Sequence, residues 1–319
     1  MTKPTMLLAC VLAMAAALPY QTAAAGPLRD LLQQRRAQAG DRDGPATLPP
    51  GIRVVRDVPY GPDPRQRMDV YAPAHAQDAP VIFMVHGGGW ARGDKAMRRV
   101  IENKVARWVP RGFVLISIDY RMLPDTAPLQ QADDVGRALA TAQRQAASWG
   151  GDGARFILMG HSAGAHLVSL LEAAPSIATA QGAAPWLGVV SLDSAAYDVA
   201  AVMRARHMRL FDDAFGSNPD TWAAASPDVR LDAAGAPFLA VCSSRRDNAC
   251  PQAQGFVAKA RSLGTRAQVI EEDLSHREIN ETLGTASAYT AQVEAFMRSL
   301  DPAVARLLDG PSTATAPGR

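Results

Sequence analysis

The sequence predicts an α/β fold in which a mostly parallel sheet of about eight strands carries helices on both faces. Short apolar runs alternate with longer helix-like segments along most of the chain, and parallel strands need such helical crossovers. The chain has 319 residues, 48% of them hydrophobic, which is enough to bury one large core. A Gly-x-Ser-x-Gly motif between a strand-like run and a helix-like segment favours the same class.

The apolar runs predicted as strands are residues 52–58, 68–71, 80–85, 113–118, 156–159, 188–192, 238–242 and 267–271. The predicted helices are residues 97–109, 129–149, 163–173, 250–263 and 285–300. Between residues 195 and 231 the apolar residues are scattered among polar ones. We expect that segment to be a helical insertion, or cap, over the functional site.

The predicted organisation is a signal peptide at 1–25, a flexible lead-in at 26–50, one folded domain at 51–302 and a C-terminal tail at 303–319. The first segment has an early positive charge, an apolar core and small residues before a cleavage point after Ala25. Its apolar stretch is shorter than the roughly 20 residues of a membrane span, so we expect cleavage and export to the periplasm or medium rather than membrane anchoring. A lipoprotein site at Cys10 is a poorer alternative, because the apolar segment before it is too short.

The charge pattern gives no support to nucleic-acid binding. The formal net charge is +2 at pH 7, no long run of Lys or Arg occurs, and aromatic residues make up 6% of the chain. We therefore expect no nucleic-acid partner, and the sequence does not predict an oligomeric state.

The candidate nucleophile is Ser162, in Gly160-His-Ser-Ala-Gly164. The strand-like run before this motif and the helix-like segment after it place Ser162 on a sharp turn, which lifts the hydroxyl above the sheet edge. A serine is a weak nucleophile by itself, so it needs a base, an acid that orients the base, and donors for an oxyanion.

The candidate oxyanion donors come from a second glycine motif, His86-Gly-Gly-Gly-Trp90, which follows a strand-like run. Three consecutive glycines are entropically costly to order, so such a loop usually brings backbone atoms close to a ligand. The N–H groups of Gly88, Gly89 and Ala163 are predicted to form the oxyanion hole. Trp90 is more often a packing residue, but we also consider it as a wall of the acyl pocket.

The candidate base is His276, because it alone of the histidines follows a late strand. The other five lie before the sheet, inside the glycine motifs, on the helix after the serine or in the predicted insertion, at positions 75, 86, 161, 166 and 207.

The candidate acid is Asp247, which follows the strand-like run at 238–242 and lies between the serine and the histidine in the chain. Asp193 is the alternative, because some hydrolases take the acid from one strand earlier. Asp273 is expected to brace the loop before His276. Arg245 and Arg246 precede the predicted acid and either lower its pKa or face water.

Cys242 and Cys250 are the two cysteines left after the predicted signal peptide. In an exported protein they are expected to form a disulfide, with two unpaired thiols as the alternative.

As a set, HGGGW with Gly93-Asp-Lys95, Asp119-Tyr-Arg121, GHSAG and the late Asp and His resemble the α/β-hydrolase superfamily. Within it the chain resembles the hormone-sensitive-lipase-like and arylformamidase-like (BD-FAE) esterases over about residues 52–302. One departure is Asp125, where the family pattern has Glu.

The resemblance implies an α/β-hydrolase fold and a serine carboxylesterase that cleaves small-molecule esters through an acyl-enzyme. It implies a Ser162, Asp247 and His276 triad, with no metal and no organic cofactor. Amide or arylformamide hydrolysis by the same triad is the first alternative. A non-catalytic binding protein on the same fold is the second.

Overall fold

A single sheet organises the part of the chain that the computed structural model describes, residues 46–310. Its strands are β1 (Ile52–Pro59), β2 (Arg67–Pro73), β3 (Ala79–Val85), β4 (Val114–Ile118), β5 (Gly151–His161), β6 (Gly188–Leu192), β7 (Phe238–Ser243) and β8 (Ala267–Glu272). The strand order is β1-β2-β4-β3-β5-β6-β7-β8. β2 runs antiparallel to both of its neighbours, and the other pairs are parallel. The mostly parallel eight-stranded sheet confirms the predicted fold class.

The helices of the described residues connect these strands and cover the sheet. They are α1 (Arg98–Trp108), α2 (Pro128–Gln145), α3 (Ala163–Ala173), α4 (Ser176–Thr179), α5 (Val199–Arg204), α6 (Arg209–Phe215), α7 (Pro219–Ala225), α8 (Pro227–Arg230), α9 (Ala249–Ser262), α10 (His276–Glu281), α11 (Ala288–Arg298) and α12 (Pro302–Asp309). Two 3-10 turns, Val109–Arg111 and Ala146–Trp149, follow α1 and α2. None of the helices within residues 46–310 is both long and apolar enough to cross a membrane.

Two apolar cores lie on the two faces of the sheet, because successive side chains of a strand point in opposite directions. Every residue of β3 is buried, with Phe83 in one core and Met84 in the other. Helices α2, α3 and α9 cover the first face, and α1, α11 and α12 cover the second. Each fully buried large apolar side chain contributes roughly 1.5–3 kcal/mol, so both layers hold the carboxyl ends of the strands in fixed positions.

The folded part of the chain extends further than the sequence pattern predicted at both ends. Residues 303–309 were predicted as tail, yet they lie in α12, whose Val304 and Leu308 are buried. Leu48, in the predicted lead-in, packs against the second core. The predicted signal peptide, residues 26–45 of the lead-in and residues 311–319 lie outside the described residues.

The predicted insertion at 195–231 consists of four short helices, α5 to α8. His166, on α3, contacts the carbonyl oxygen of Ala225 through Nε2 at 2.7 Å. The Phe215 ring, on α6, lies 4.9 Å from the Trp90 ring. The segment therefore packs against Trp90 of the glycine-rich loop and against α3. We call residues 195–231 the cap.

Candidate active site

Ser162 lies on a strained turn between β5 and α3. Its φ of 56° and ψ of −118° are unfavourable for a non-glycine residue, and the Ser162 N–H donates to Leu192 O at 2.9 Å. The turn packs tightly because position 164 has no side chain: a Cβ there would lie 2.2 Å from Val85 O. The turn therefore presents a partly exposed Ser162 hydroxyl at the sheet edge.

The structure brings His276 to this hydroxyl, with Nε2 2.9 Å from Ser162 Oγ. His276 is the first residue of α10. The sequence analysis had placed it in the loop after the last strand. Ser275 caps the helix and Glu278 bonds back to the Ser275 N–H, which forms a capping box. The Ser-x-x-Glu spacing in the sequence was the signal that could have predicted this helix.

Asp193 is the carboxylate that meets His276, with Oδ2 2.5 Å from Nδ1. The prediction of Asp247 for this position is wrong, and the alternative named in the sequence analysis takes its place. Asp247 lies in the exposed turn after β7, four residues beyond the end of the strand. Asp193 directly follows β6 and is fully buried.

Strand register explains why Asp193 reaches the site. β5 and β6 are adjacent parallel strands in which His161 pairs with Leu192. Residues 162 and 193 therefore leave the sheet side by side at its carboxyl edge, where ligands bind in open α/β sheets. An aspartate immediately after a five-residue apolar strand was the sequence signal for this position.

Charges around the Asp193 carboxylate keep it ionised. Arg246 donates to Asp193 Oδ2 at 2.8 Å, and the Ser243 N–H donates to Oδ1 at 2.8 Å. Burial opposes ionisation, but the Arg246 charge and the hydrogen bonds from His276 and Ser243 hold the pKa of Asp193 far below its ordinary value. Burial and the Arg246 charge lower the pKa of His276, although Asp193 acts in the opposite direction.

The two neighbouring arginines have different environments. Arg246 is 19% exposed and contacts Asp193, whereas Arg245 is 44% exposed and pairs with Asp273 at 2.7 Å. Asp273 is thus a loop brace, as expected.

A second histidine packs against His276. The His161 and His276 rings are 4.5 Å apart, and His161 Nε2 donates to His276 O at 2.9 Å. Burial and the adjacent His276 lower the pKa of His161 well below its ordinary value, so it is neutral. His161 therefore helps to fix the position of α10.

The glycine-rich loop lies against the Ser162 turn. A Cβ at Gly87 would lie 2.8 Å from Ser162 Cβ, so only glycine permits this approach. Gly88, which follows Gly87, is exposed and Gly89 is partly exposed. Ala163 is the first residue of α3, where an N–H has no acceptor within the helix. The three predicted oxyanion donors thus belong to two segments that meet at Ser162.

Buried polar contacts brace this loop. His86 Nδ1 donates to Gly87 O at 2.7 Å, and its ring stacks on Tyr120 at 4.6 Å. Asp119 accepts from the Lys95 N–H at 2.7 Å. The Gly93-Asp-Lys95 and Asp119-Tyr-Arg121 motifs therefore support the loop, and no hydrogen bond from them to Ser162 occurs among the described residues.

Trp90 is a packing residue with 3% exposure. Its Nε1 donates to His166 Nδ1 at 3.2 Å, and its ring packs against Phe211 and Phe215. Burial lowers the pKa of His166 to about 4, so the ring is neutral and donates its Nε2 proton to Ala225 O. Trp90 thus joins the glycine-rich loop to α3 and the cap.

Cys242 and Cys250 are joined by a disulfide, and their Cα atoms lie 5.1 Å apart. The bridge connects the end of β7 to the start of α9. It closes the loop that carries Ser243 and Arg246, both of which contact Asp193.

No cluster of three or more His, Cys, Asp or Glu side chains suitable for a metal ion occurs among residues 46–310.

Comparisons with known proteins identify relatives of this chain. The BD-FAE family model matches residues 68–261. Esterase LipQ of Mycobacterium tuberculosis is 30% identical over 267 residues, which cover 75% of this chain and 63% of that protein. The probable isoprenylcysteine alpha-carbonyl methylesterase ICMEL1 of Oryza sativa subsp. japonica is 36% identical over 118 residues, 37% of this chain and 27% of that protein. The chain thus spans less than two thirds of the length of these curated relatives.

The fold also matches solved structures. Esterase B from Lactobacillus rhamnosis superposes with a TM-score of 0.68 at 19% identity, covering 88% of this chain and 96% of that chain. A truncated carbohydrate esterase from gut microbiota superposes with a TM-score of 0.66 at 16% identity, covering 79% and 98%. At these identities the likeness concerns the fold alone. The family model, which covers more than half of the chain, and the motifs on the sheet edge establish that the chain belongs to the BD-FAE family of α/β-hydrolases.

Proposed function

We propose that this protein is a serine carboxylesterase that hydrolyses small-molecule esters with Ser162, His276 and Asp193 as its catalytic triad. One observation carries the proposal: a continuous contact from Ser162 Oγ through both nitrogens of His276 to Asp193, at 2.9 and 2.5 Å. Relatives named as esterases favour ester substrates, and no described feature favours an amide over an ester.

In the first step Ser162 Oγ attacks the ester carbonyl while His276 Nε2 takes its proton. A neutral His276 is ready to accept that proton because its pKa is lowered. Asp193 holds the Nδ1 proton in place and stabilises the imidazolium that forms.

The negative charge of the tetrahedral intermediate develops beside the glycine-rich loop. We assign its stabilisation to the N–H groups of Gly88, Gly89 and Ala163, each such donor being worth about 3–4 kcal/mol. His276 then protonates the leaving alcohol. Water, activated by the same base, releases the acyl group from Ser162.

The test is hydrolysis of p-nitrophenyl esters from acetate to laurate, with the protein starting at Gly26 and with its Ser162→Ala variant. Turnover by the protein with Ser162 and loss of turnover in Ser162→Ala support the proposal. The preferred chain length measures the size of the acyl site. Turnover that survives in Ser162→Ala refutes it. A matched anilide series distinguishes amide hydrolysis: faster cleavage of anilides than of esters would favour the first alternative.

We also propose that the protein is exported, on the basis of the signal-like residues 1–25. The disulfide supports this, because disulfides persist mainly in oxidising compartments. N-terminal sequencing of protein from the periplasm or medium tests it, and a mature chain that still begins at Met1 contradicts cleavage.

A further inference from the structure

The loop after β7 supplies a cation to the triad where the sequence had suggested its acid. Within this loop Asp247 is exposed, and the preceding Arg246 points to Asp193 and His276 instead. Arg246 is not needed for any proton transfer in the proposed mechanism.

One nitrogen of Arg246 contacts both members of the pair. Arg246 Nη1 lies 2.8 Å from Asp193 Oδ2, 3.1 Å from Asp193 O and 3.1 Å from His276 Nδ1. The Asp193 side chain is fully buried, so this contact is a charge-assisted hydrogen bond in a low-dielectric setting. Asp193 Oδ2 is therefore shared between a guanidinium and an imidazole, and its position depends on both.

We propose that Arg246 is a positioning residue of the triad: it holds Asp193 against His276 and keeps His276 in its proton-accepting form in mildly acidic solution. The inference rests on the proposed function. A permanent positive charge beside Nδ1 opposes formation of the imidazolium, whereas Asp193 alone would favour it. The esterase is thus set to work at lower pH than a triad in which the carboxylate has no cation beside it.

Other titratable groups around His276 must be considered. They are His161 at the end of β5, Lys104 on α1, Tyr289 on α11, Asp273 and Arg245 beside the loop, and Arg277, Glu278 and Glu281 on α10. Lys104 donates to Asn280 in α10, and burial lowers its pKa to about 7, within the range of the experiment. Because these groups are the same in all Arg246 variants, a difference between the variants reports Arg246 itself.

The experiment compares wild type with Arg246→Gln, Arg246→Lys and the control Arg245→Gln. Arg245 precedes Arg246 in the same loop but contacts Asp273 and Glu278. The pH dependence of kcat/KM is measured with p-nitrophenyl acetate between pH 5 and 9, relative to the plateau of each protein. In Arg246→Gln we expect the relative rate at pH 5.5 to fall by roughly threefold or more, because a neighbouring charge typically shifts a pKa by about one unit. Arg246→Lys should restore part of the profile, and Arg245→Gln should match wild type.

Two readouts separate this inference from the proposed function. The first is the pH dependence of Ser162 labelling by a fluorophosphonate, which needs the base but no ester turnover. The second is the NMR titration of the His276 Nδ1 proton, which needs no reaction. Labelling of Ser162 without ester turnover would refute the esterase proposal. The pH dependence of the labelling rate in wild type and the Arg246 variants would still test the role of Arg246.

The NMR titration of wild type also serves if Arg246→Gln does not fold. A His276 midpoint at or above the ordinary value of about 6.5 in wild type overturns the inference. Because burial also lowers this pKa, a lower midpoint supports the inference only if it rises in Arg246→Lys, and a lower midpoint that does not move in Arg246→Lys overturns it. In a folded Arg246→Gln variant, a profile and a midpoint equal to those of wild type would likewise overturn it.

Discussion

Replacing Asp193 with Asn tests which carboxylate belongs to the triad. Asp193 Oδ2 accepts from His276 Nδ1 and Arg246, and Oδ1 accepts from the Ser243 N–H. All three partners are donors, whereas Asn brings one amide group that also donates. If that group faces His276, the imidazole must turn its proton toward Ser162 and can no longer act as base. If it faces Ser243, a buried N–H loses its acceptor, at about 1–3 kcal/mol, and the imidazolium still loses its counter-charge.

We therefore expect Asp193→Asn to lower kcat by about 10⁴, as the same replacement does in a serine protease triad. A factor of 10⁴ corresponds to about 5 kcal/mol in the activation barrier. The matched control is Asp247→Asn, which should stay within about twofold of wild type because exposed substitutions change free energies by about 0.5 kcal/mol or less.

The assay is the initial rate with p-nitrophenyl acetate at pH 8, on variants whose circular dichroism matches that of wild type. Loss of activity in Asp247→Asn, with Asp193→Asn retaining more than about a tenth of kcat, would return the acid to the loop after β7. Wild-type activity in both variants would mean that neither Asp193 nor Asp247 is needed for turnover.

Three further predictions concern buried groups and the disulfide. Burial raises the pKa of Glu172 to about 7, so the folded protein loses stability as pH rises from about 4.5 to 7. At pH 8, urea unfolding should therefore show Glu172→Gln to be up to roughly 3 kcal/mol more stable than wild type. This gain should disappear toward pH 4.5. Burial lowers the pKa of Lys104 to about 7, so the free energy of unfolding of wild type should rise between pH 7 and 10. Its slope should exceed that of Lys104→Met by up to roughly 1.4 kcal/mol per pH unit. In protein starting at Gly26, Cys242 and Cys250 should show no reactive thiol in denaturant before reduction and two afterwards.

Each of these predictions has a clear contrary result. A Glu172→Gln variant whose stability relative to wild type is the same at pH 4.5 and pH 8 would mean that Glu172 is ionised with an ordinary pKa. Parallel plots of unfolding free energy against pH for wild type and Lys104→Met would show that Lys104 keeps its proton throughout this pH range. Two thiols that react before reduction would show that the cysteines are unpaired.

The sheet and the turn that carries Ser162 could be predicted from sequence because each depends on local pattern. Apolar runs with intervening helices define the strands, and the glycines around Ser162 define its turn within five residues. The His276 position followed from its place after the last strand. These signals need no knowledge of which strands are neighbours.

The carboxylate that contacts His276 could not be assigned in the same way, because Asp193 and Asp247 both follow strands and precede His276. The choice depends on which strand lies beside β5, and on how sharply the chain turns after β7. The contact of Arg246 with Asp193 could not be predicted for the same reason, since the two residues are 53 positions apart in the chain. Pairings of this kind appear only when the strand order is known.

The hydrogen bonds of His166 have a consequence for how substrate reaches the site. Trp90 donates to one ring nitrogen of His166, and the other donates to Ala225 in the cap, so opening the cap would leave a buried imidazole without its acceptor. Phe215 would also have to leave the Trp90 ring. We therefore expect the cap to stay in place while substrate binds rather than to open as a hinged lid. Rates with soluble esters should therefore rise smoothly with concentration, without the jump at the onset of micelles that marks interfacial activation.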